Sequence, residues 1–181
     1  MQTKHADDYV FIDESSTHLT MTPLYARSAR GQRAFGVVPR KRGTNITLIA
    51  ALSKAGMKAT MTLEGSLDGE AFEVYVRKVL VPTLMPGQTV ILDNLRVHEN
   101  AKARCLIEQA GCSLRFLPAY SPDLMPIEGG FSKVKAILRS LGARTTTTFD
   151  RAVKQAVNTI SSKDALGFFN RCGYALSGQP L

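Results

Sequence analysis

Two stretches of sequence decide the fold of this chain: Thr89-Val90-Ile91-Leu92-Asp93-Asn94, and Pro118-Ala119-Tyr120-Ser121-Pro122-Asp123-Leu124-Met125-Pro126-Ile127-Glu128. The first contains an apolar run bounded by Gly87 and Asn94, which is typical of a strand buried on both faces. Such a strand needs helices on both sides of its sheet to cover it. The sequence therefore predicts an α/β fold, with Asp93 at the C-terminal end of a central strand.

The second stretch leads into a helix. Apolar residues recur at intervals of four, three, four and three, as on one face of an amphipathic helix: Ile127, Phe131, Val134, Leu138 and Leu141. Glu128 then lies in the first turn of that helix. Pro126 suits its first position, because the missing N–H would have no helical partner there.

The other strands and helices are predicted from the hydrophobic pattern and from residues that interrupt regular structure, such as proline and glycine. Strands are predicted at 9–12, 19–25, 45–52, 57–63, 89–93 and 113–117. Further helices are predicted at 69–80, 99–110, 149–160 and 164–172, the first of them ended or kinked by Pro82 and Pro86. The first strand delivers Asp13 at its C-terminal end, so Asp13 and Asp93 are expected to converge at one end of the sheet, within reach of Glu128.

Three converging carboxylates favour metal chemistry. Carboxylates are hard oxygen ligands suited to Mg²⁺ or Mn²⁺, and without a cation they would repel one another. We expect two ions, with Asp13 reaching both, Asp93 on one and Glu128 on the other, arranged for in-line phosphoryl displacement. Taken singly, each acid has a structural explanation, because Asp13 and Asp93 suit turns or helix caps and Glu128 suits a helix N-terminus.

Two polar residues near Asp93 are candidates to support the site. His98 is a candidate to orient a ligand or contact a phosphate, and an ordinary loop histidine is the alternative. Asn94 either holds the turn or touches the metal shell. Glu14 is expected to point to the other side of its strand from Asp13 and is set aside.

The charge distribution favours a polyanionic partner. The net charge is +8, and a cluster without acids contains Arg27, Arg30, Arg33, Arg40, Lys41 and Arg42. Lys135 and Arg139 follow Glu128 along nearly one helical stripe. All eight are candidates to bind DNA phosphates, with a solvated surface as the alternative.

Length and composition describe one soluble globular domain over residues 1–181. No apolar run approaches the roughly 18 residues of a membrane span, and the N-terminus lacks the apolar segment of a secretory signal. The three cysteines suit reduced thiols. A cytoplasmic location is therefore expected, with the protein associated with the nucleoid when bound to DNA.

The motifs together resemble the catalytic domain of mariner-like DDE transposases, in particular the bacterial insertion-sequence branch. The resemblance rests on Phe11-Ile12-Asp13-Glu14-Ser15, Arg30-Gly31, Asp93-Asn94 with His98, and Tyr120 to Glu128. It implies a ribonuclease H-like fold, a mixed sheet of five or slightly more strands with helices on both faces and the first and fourth strands side by side. Met125 and Gly129-Gly130 depart from the family pattern and are expected to weaken the helix start near Glu128.

The resemblance also implies an activity: metal-dependent cleavage of double-stranded DNA at transposon ends, followed by strand transfer into target DNA. Asp13, Asp93 and Glu128 would occupy the catalytic positions. A homodimer is expected, and the helix-turn-helix recognition region typical of such transposases is expected to be absent, supplied by a fused or separate module. Two alternatives remain open: a catalytically silent DNA-binding or dimerisation module, and a ribonuclease H-like nuclease acting on hybrids or junctions.

Overall fold

The computed structural model describes residues 6–41 and 43–174. Within them, five strands form one mixed sheet in the order β3-β2-β1-β4-β5: β1 (Tyr9–His18), β2 (Asn45–Ser53), β3 (Gly56–Glu64), β4 (Thr89–Leu92) and β5 (Ser113–Phe116). β1 pairs antiparallel with β2 and parallel with β4, which in turn pairs parallel with β5. The predicted mixed sheet, with the first strand beside the strand that ends at Asp93, is confirmed.

The first strand is longer than predicted, and the predicted strand at 19–25 is wrong. β1 continues through a polar run to His18 because β2 pairs with it along that whole length. Buried Thr17 donates its hydroxyl hydrogen bond to the carbonyl of Ile46 at 2.7 Å. The chain then leaves the sheet, and Pro23, which lacks an N–H, lies in an exposed segment outside any strand.

Helices cover both faces of the sheet, as predicted. They are α1 (Gly69–Tyr75), α2 (Ala101–Gln109), α3 (Ile127–Leu141), α4 (Thr146–Asn158) and α5 (Ser162–Arg171). Phe72 of α1 and Ile107 of α2 share one apolar cluster with Val10 of β1. Phe131 of α3 lies in a second cluster, with α4, α5 and the opposite side of the strands. Among the described residues, every helix is too short or too polar to cross a bilayer.

The predicted helix at 69–80 is divided into two segments, and a third, short one follows it. After α1, the chain forms one π-helical turn (Val76–Leu80) and a short 3₁₀ turn (Val81–Thr83) that contains Pro82. Asp68 caps the start of α1 by accepting a hydrogen bond from the Ala71 N–H at 2.8 Å. The pattern thus identified the helical segment, and Pro82 lies in the short 3₁₀ turn that ends it, after the change to π-helical hydrogen bonding at Val76.

The last two helices begin earlier than predicted because side chains cap them. Thr145 and Thr148 form a reciprocal capping box at the start of α4, and Ser161 forms one with Asp164 at the start of α5. By contrast, no side chain caps the start of α3, where Pro126 occupies the cap position. This agrees with the expectation that the sequence around Met125 provides a weak start for the helix that carries Glu128.

Candidate active site

Asp13 and Asp93 lie level with each other, just beyond the C-terminal end of β4. The expectation that the first strand ends at Asp13 is wrong, because β1 continues past it to His18 beside β2. In the parallel pair of β1 and β4, Tyr9 faces Thr89 and Phe11 faces Ile91. Continuing this register by two residues brings Asp13 opposite Asp93, just beyond the last residue of β4. Asp13 is 8% exposed, and its Oδ1 accepts a 2.8 Å hydrogen bond from the Glu14 N–H.

Glu128 joins these two acids in one cavity. All three line an open cavity of about 370 Å³. Its remaining walls come from the end of β4 and from the loop before α3: Asn94, Leu95, Leu117, Pro118, Ala119, Tyr120, Ser121, Pro122 and Met125. Glu128 reaches the cavity from the first turn of α3 and is exposed, whereas Met125 of the loop is buried.

The pKa of Asp13 is determined by burial of its carboxyl group and by three other acids nearby. Burial raises its pKa to about 7, and repulsion from Glu14, Glu128 and Asp93 adds to the increase, while the hydrogen bond from the Glu14 N–H opposes it. A carboxylate in this environment favours either a proton or a cation beside it. The cavity therefore suits a positively charged ligand.

The pKa of Asp93 is shifted in the opposite direction, because two hydrogen-bond donors contact its carboxylate. Its Oδ1 accepts hydrogen bonds from His98 Nδ1 at 2.6 Å and from the Leu95 N–H at 3.1 Å. Burial acts to raise the pKa of Asp93, but these hydrogen bonds and the charge of His98 outweigh it and hold the pKa below its usual value. Asp93 is thus an ionised carboxylate in a fixed orientation.

His98 lies behind the cavity and bridges two acids. It is 1% exposed, and its Nε2 lies 3.1 Å from Glu14 Oε2. A ring that donates from both nitrogens is an imidazolium, and two carboxylate acceptors on opposite sides of the ring favour that form. Burial lowers the pKa of His98, but the hydrogen bonds to Asp93 and Glu14 outweigh it and raise the pKa to about 9.

Glu14 is a site residue that sequence reasoning set aside. It does point to the opposite side of β1 from Asp13, as expected from strand alternation, but His98 lies on that side. The ring of His98 also packs against Phe72, with 4.9 Å between ring centroids. The one signal for Glu14 in the sequence is an acid next to a buried strand, which does not reveal that a histidine 84 residues away contacts it.

Asn94 makes a tertiary contact. Its Nδ2 donates a 2.7 Å hydrogen bond to the carbonyl of Leu117, at the end of β5.

Tyr120, on the same rim of the cavity, is fully exposed and has a left-handed backbone with φ of 57°. A left-handed conformation is uncommon for a residue with a side chain, and such strain tends to collect at functional sites.

The cationic candidates lie away from the cavity. Those of the segment 22–41 that the structure describes are all exposed: Arg27, Arg30, Arg33, Arg40 and Lys41. Arg42 lies outside the described residues. Lys135 and Arg139 are half-buried on α3. None of these seven described side chains lines the cavity, so the structure brings together the acids and leaves the cations on separate surfaces.

The donor set fits a divalent cation. Asp13, Asp93 and Glu128 offer hard carboxylate oxygens at one opening, and the pKa of Asp13 is raised chiefly by burial and further by repulsion from the neighbouring acids. Among the described residues, no group of three His, Cys, Asp or Glu side chains is already close enough to hold one ion. Closing a coordination shell therefore requires side-chain rotation, which exposed Glu128 can make while Asp93 stays held by His98 and the Leu95 N–H.

Comparison with solved structures identifies similar folds. A pre-cleavage Mos1 transpososome superimposes with a TM-score of 0.71 at 13% identity, covering 94% of this chain and 54% of the other. A Mos1 mariner paired-end complex with Mn gives 0.68 at 15% identity, covering 94% and 54%. The catalytic domain of Mos1 mariner transposase gives 0.63 at 12% identity, covering 94% and 79%. These likenesses establish the ribonuclease H-like fold, and the chain spans about half the length of the full transposase chains.

Comparison by sequence identifies the family. No curated protein matches the chain. Residues 8–150, which include all three cavity acids together with Glu14, Asn94 and His98, match the family described as DDE superfamily endonuclease. With most of its length matched, and with the fold and cavity described above, this chain belongs to the DDE superfamily endonuclease family.

Proposed function

We propose that this chain is the catalytic part of a transposase of the insertion-sequence branch, which cleaves DNA at transposon ends and transfers the cut strand to target DNA. The observation that supports it most directly is the cavity at the end of the sheet, lined by Asp13, Asp93 and Glu128 in a DDE superfamily endonuclease. The solved structures with the same fold are described as transposase complexes, among them a strand transfer complex.

In this proposal the three acids are the catalytic residues and hold two Mg²⁺ or Mn²⁺ ions. Two ions bound there would activate the attacking oxygen and stabilise the leaving oxygen of an in-line phosphoryl transfer. Asp13, the most buried of the three acids, would contact both ions. Asp93 is held in one orientation by His98 and the Leu95 N–H. Glu128 is exposed in the first turn of α3 and is free to adjust as the site closes.

DNA binding is assigned to the cationic surfaces. The exposed segment 22–41 carries five arginines and lysines without an acid, a charge pattern that attracts phosphates independently of base sequence. It also exposes large apolar side chains, with Tyr25 89%, Phe35 88% and Val37 99% exposed. Such residues favour a binding surface over bulk solvent, which is consistent with the proposed homodimer as well as with DNA. Lys135 and Arg139 on α3 are the second cationic surface.

The proposal covers one catalytic domain, and recognition of specific transposon ends would need a helix-turn-helix module, fused or separate. A protein with this activity works where DNA is, which agrees with the cytoplasmic, nucleoid-associated location expected from the sequence. An alternative is a catalytically silent DNA-binding or dimerisation module. One observation favours it: no three ligands among the described residues are already gathered around a metal position.

Nicking of supercoiled plasmid, with Mg²⁺ and then Mn²⁺, tests the proposal. The wild-type chain is compared with Asp93→Asn, which retains an oxygen that can accept from His98 but removes the negative charge. Asp150→Asn is the matched control, because Asp150 is an exposed acid of α4 that does not line the cavity. We expect cleavage by the wild type and by Asp150→Asn, and none by Asp93→Asn.

The alternatives give different results in the same assay. A silent module would bind the plasmid without nicking it under either metal, and its binding would survive Asp93→Asn. A nuclease for hybrids or junctions would cleave those substrates in preference to duplex plasmid. Equal nicking by all three proteins would indicate a contaminating nuclease and would count against the proposed role of Asp93.

A further inference from the structure

A chain of three side chains leads from the far side of the sheet to the cavity. Glu14 Oε2 lies 3.1 Å from His98 Nε2, and His98 Nδ1 lies 2.6 Å from Asp93 Oδ1. Asp93 lines the cavity, whereas neither Glu14 nor His98 does. The three residues come from β1, from the short 3₁₀ turn Arg96–His98 and from the end of β4.

The packing around His98 limits the movement of the ring but does not determine which ring nitrogen faces Asp93. Phe72 of α1 lies against one side of the ring, and the histidine side chain is fully buried. An apolar contact of this kind has no directional preference for either ring nitrogen. The orientation of the ring is therefore set by its two hydrogen bonds, and Glu14 is the partner of Nε2, the nitrogen that does not contact Asp93.

Both described hydrogen bonds to Asp93 end on Oδ1, from His98 and from the Leu95 N–H. This fixes the plane of the carboxylate and leaves Oδ2 as the oxygen available to a ligand in the cavity. If Glu14 were absent, His98 Nε2 would be a buried donor without an acceptor, and the ring would be free to turn toward another one.

We propose that Glu14 is a positioning residue, which sets the orientation of Asp93 through His98 and so tunes the affinity of the cavity for a divalent cation. This inference rests on the proposed function, in which Asp93 is a metal ligand. β1 thereby contributes two adjacent acids with different roles. Asp13 faces the cavity, and Glu14 contacts His98, which in turn holds Asp93 of the cavity wall.

Glu14 also carries a negative charge near Asp13, so a test must separate position from charge. Glu14→Gln removes the charge but keeps the length, and its amide can donate to His98 Nε2 while Nδ1–H still donates to Asp93. Glu14→Asp keeps the charge but is one methylene shorter, so it does not reach His98. Positioning predicts that Gln works better than Asp, and a charge effect predicts the reverse.

The experiment is Mn²⁺ binding to the full chain, measured by electron paramagnetic resonance of free Mn²⁺, for Glu14→Ala, Glu14→Asp and Glu14→Gln. The matched control is Glu73→Ala, because the Glu73 side chain is 20% exposed against 19% for Glu14 and pairs with Lys102 instead of His98. We expect the Mn²⁺ Kd to rise about tenfold in Glu14→Ala and Glu14→Asp. Glu14→Gln and Glu73→Ala should stay within about twofold of the wild type, since both keep a hydrogen-bond partner for His98 at position 14.

The outcomes are distinguishable. If Glu14→Ala does not fold by circular dichroism, the comparison of Asp with Gln decides alone. A wild-type Kd in Glu14→Asp, or a greater loss of affinity in Glu14→Gln than in Glu14→Asp, overturns the positioning role and leaves the proposed function intact. A wild-type chain that binds no Mn²⁺ overturns both. For the active enzyme, the Mn²⁺ concentration at half-maximal nicking should rise in Glu14→Asp, while the rate at saturating Mn²⁺ changes little.

Discussion

Asn94 Nδ2 donates a 2.7 Å hydrogen bond to the carbonyl oxygen of Leu117, 23 residues further along the chain. This contact joins the residue after Asp93 to the point where the cavity-lining loop begins. It holds the end of β4 and the end of β5 together beyond the last residue pair of their parallel ladder. A 2.8 Å backbone hydrogen bond from the Leu117 N–H to the Leu92 carbonyl joins the same two ends, so Asn94 adds a second connection between two walls of the cavity.

Asn94→Ala should loosen the loop at 118–125 without unfolding the chain. Loss of one exposed hydrogen bond costs on the order of 1 kcal/mol, which is small for a domain of this size. Hydrogen–deuterium exchange measures the effect: amides of the loop should exchange faster, and those of β1 should not. Asn158→Ala, at an exposed asparagine of α4, is the control and should leave the loop unchanged. Unchanged loop exchange in Asn94→Ala would show that packing alone holds this wall.

The stabilising effect of Mg²⁺ should be greater at pH 8 than at pH 5.5. The folded-state pKa of Asp13 is raised from 3.8 to about 7, chiefly by burial, so the folded chain holds this proton more tightly than the unfolded chain does. Its contribution to stability is therefore full below about pH 4 and is lost as the pH rises to about 7. Above pH 7 the ionised acid is free to bind a cation, whereas at pH 5.5 the cation must first displace the proton.

Thermal unfolding with and without Mg²⁺, at pH 5.5 and at pH 8, measures how much the cation stabilises the chain. The gain in Tm on adding Mg²⁺ should be clearly larger at pH 8 for the wild type. Asp13→Asn, which has no proton to displace, should lose both the gain and its pH dependence. An equal gain at both pH values in the wild type would contradict the assignment of Asp13 as the acid that exchanges a proton for a cation.

Gly129→Ala should destabilise the chain although alanine favours helices. A Cβ at this position of α3 would lie 2.6 Å from Phe168 Cδ1 of α5, and Phe168 packs against the core. Overpacking of this kind costs about 1–3 kcal/mol, against a helix gain of up to about 1 kcal/mol. The free energy of unfolding in urea is the measurement.

Gly167→Ala is the matched control for that substitution. Gly167 is an exposed position of α5, and a Cβ there would meet nothing within 4 Å. Only the helix preference then operates, so Gly167→Ala should stabilise by about 0.5–1 kcal/mol. The two substitutions are chemically identical, and opposite signs are expected. Equal effects would mean that Phe168 moves aside without cost.

Removing cations from the segment 22–41 should weaken DNA binding and its salt dependence together. Every phosphate that the chain no longer neutralises should make the slope of log Kobs against log[salt] less negative by about 0.9. The variant Arg27→Ala, Arg30→Ala, Arg33→Ala tests this by fluorescence anisotropy with duplex DNA. The control replaces three exposed cations on the α1 and α2 side of the molecule: Arg77, Lys78 and Lys102. A similar change of slope in both triple variants would show that the segment has no special role.

The sequence by itself determined the elements with a strong local signal. The apolar run before Asp93 predicted a strand buried on both sides, and the apolar spacing after Ile127 predicted a helix with Glu128 in its first turn; the structure has both. With the apolar run before Asp13, these elements predicted a sheet with helices on both faces and the convergence of Asp13 and Asp93 within reach of Glu128. Hydrophobic periodicity carries this information because it depends on near neighbours in the chain.

Tertiary structure decided everything that depends on which residues distant in the sequence meet. The polar half of β1 is a strand because β2 satisfies its backbone hydrogen bonds, and no local pattern indicated it. Gly129 is explained only by Phe168, and Asn94 only by Leu117. Glu14 lies beside Asp13, which the sequence predicted to be catalytic, yet the role proposed for Glu14 depends on His98, which the fold of β4 and the following turn bring to the other side of the sheet. A single hydrogen bond between distant residues leaves no periodic trace in the sequence, so these relationships appear only once the chain has folded.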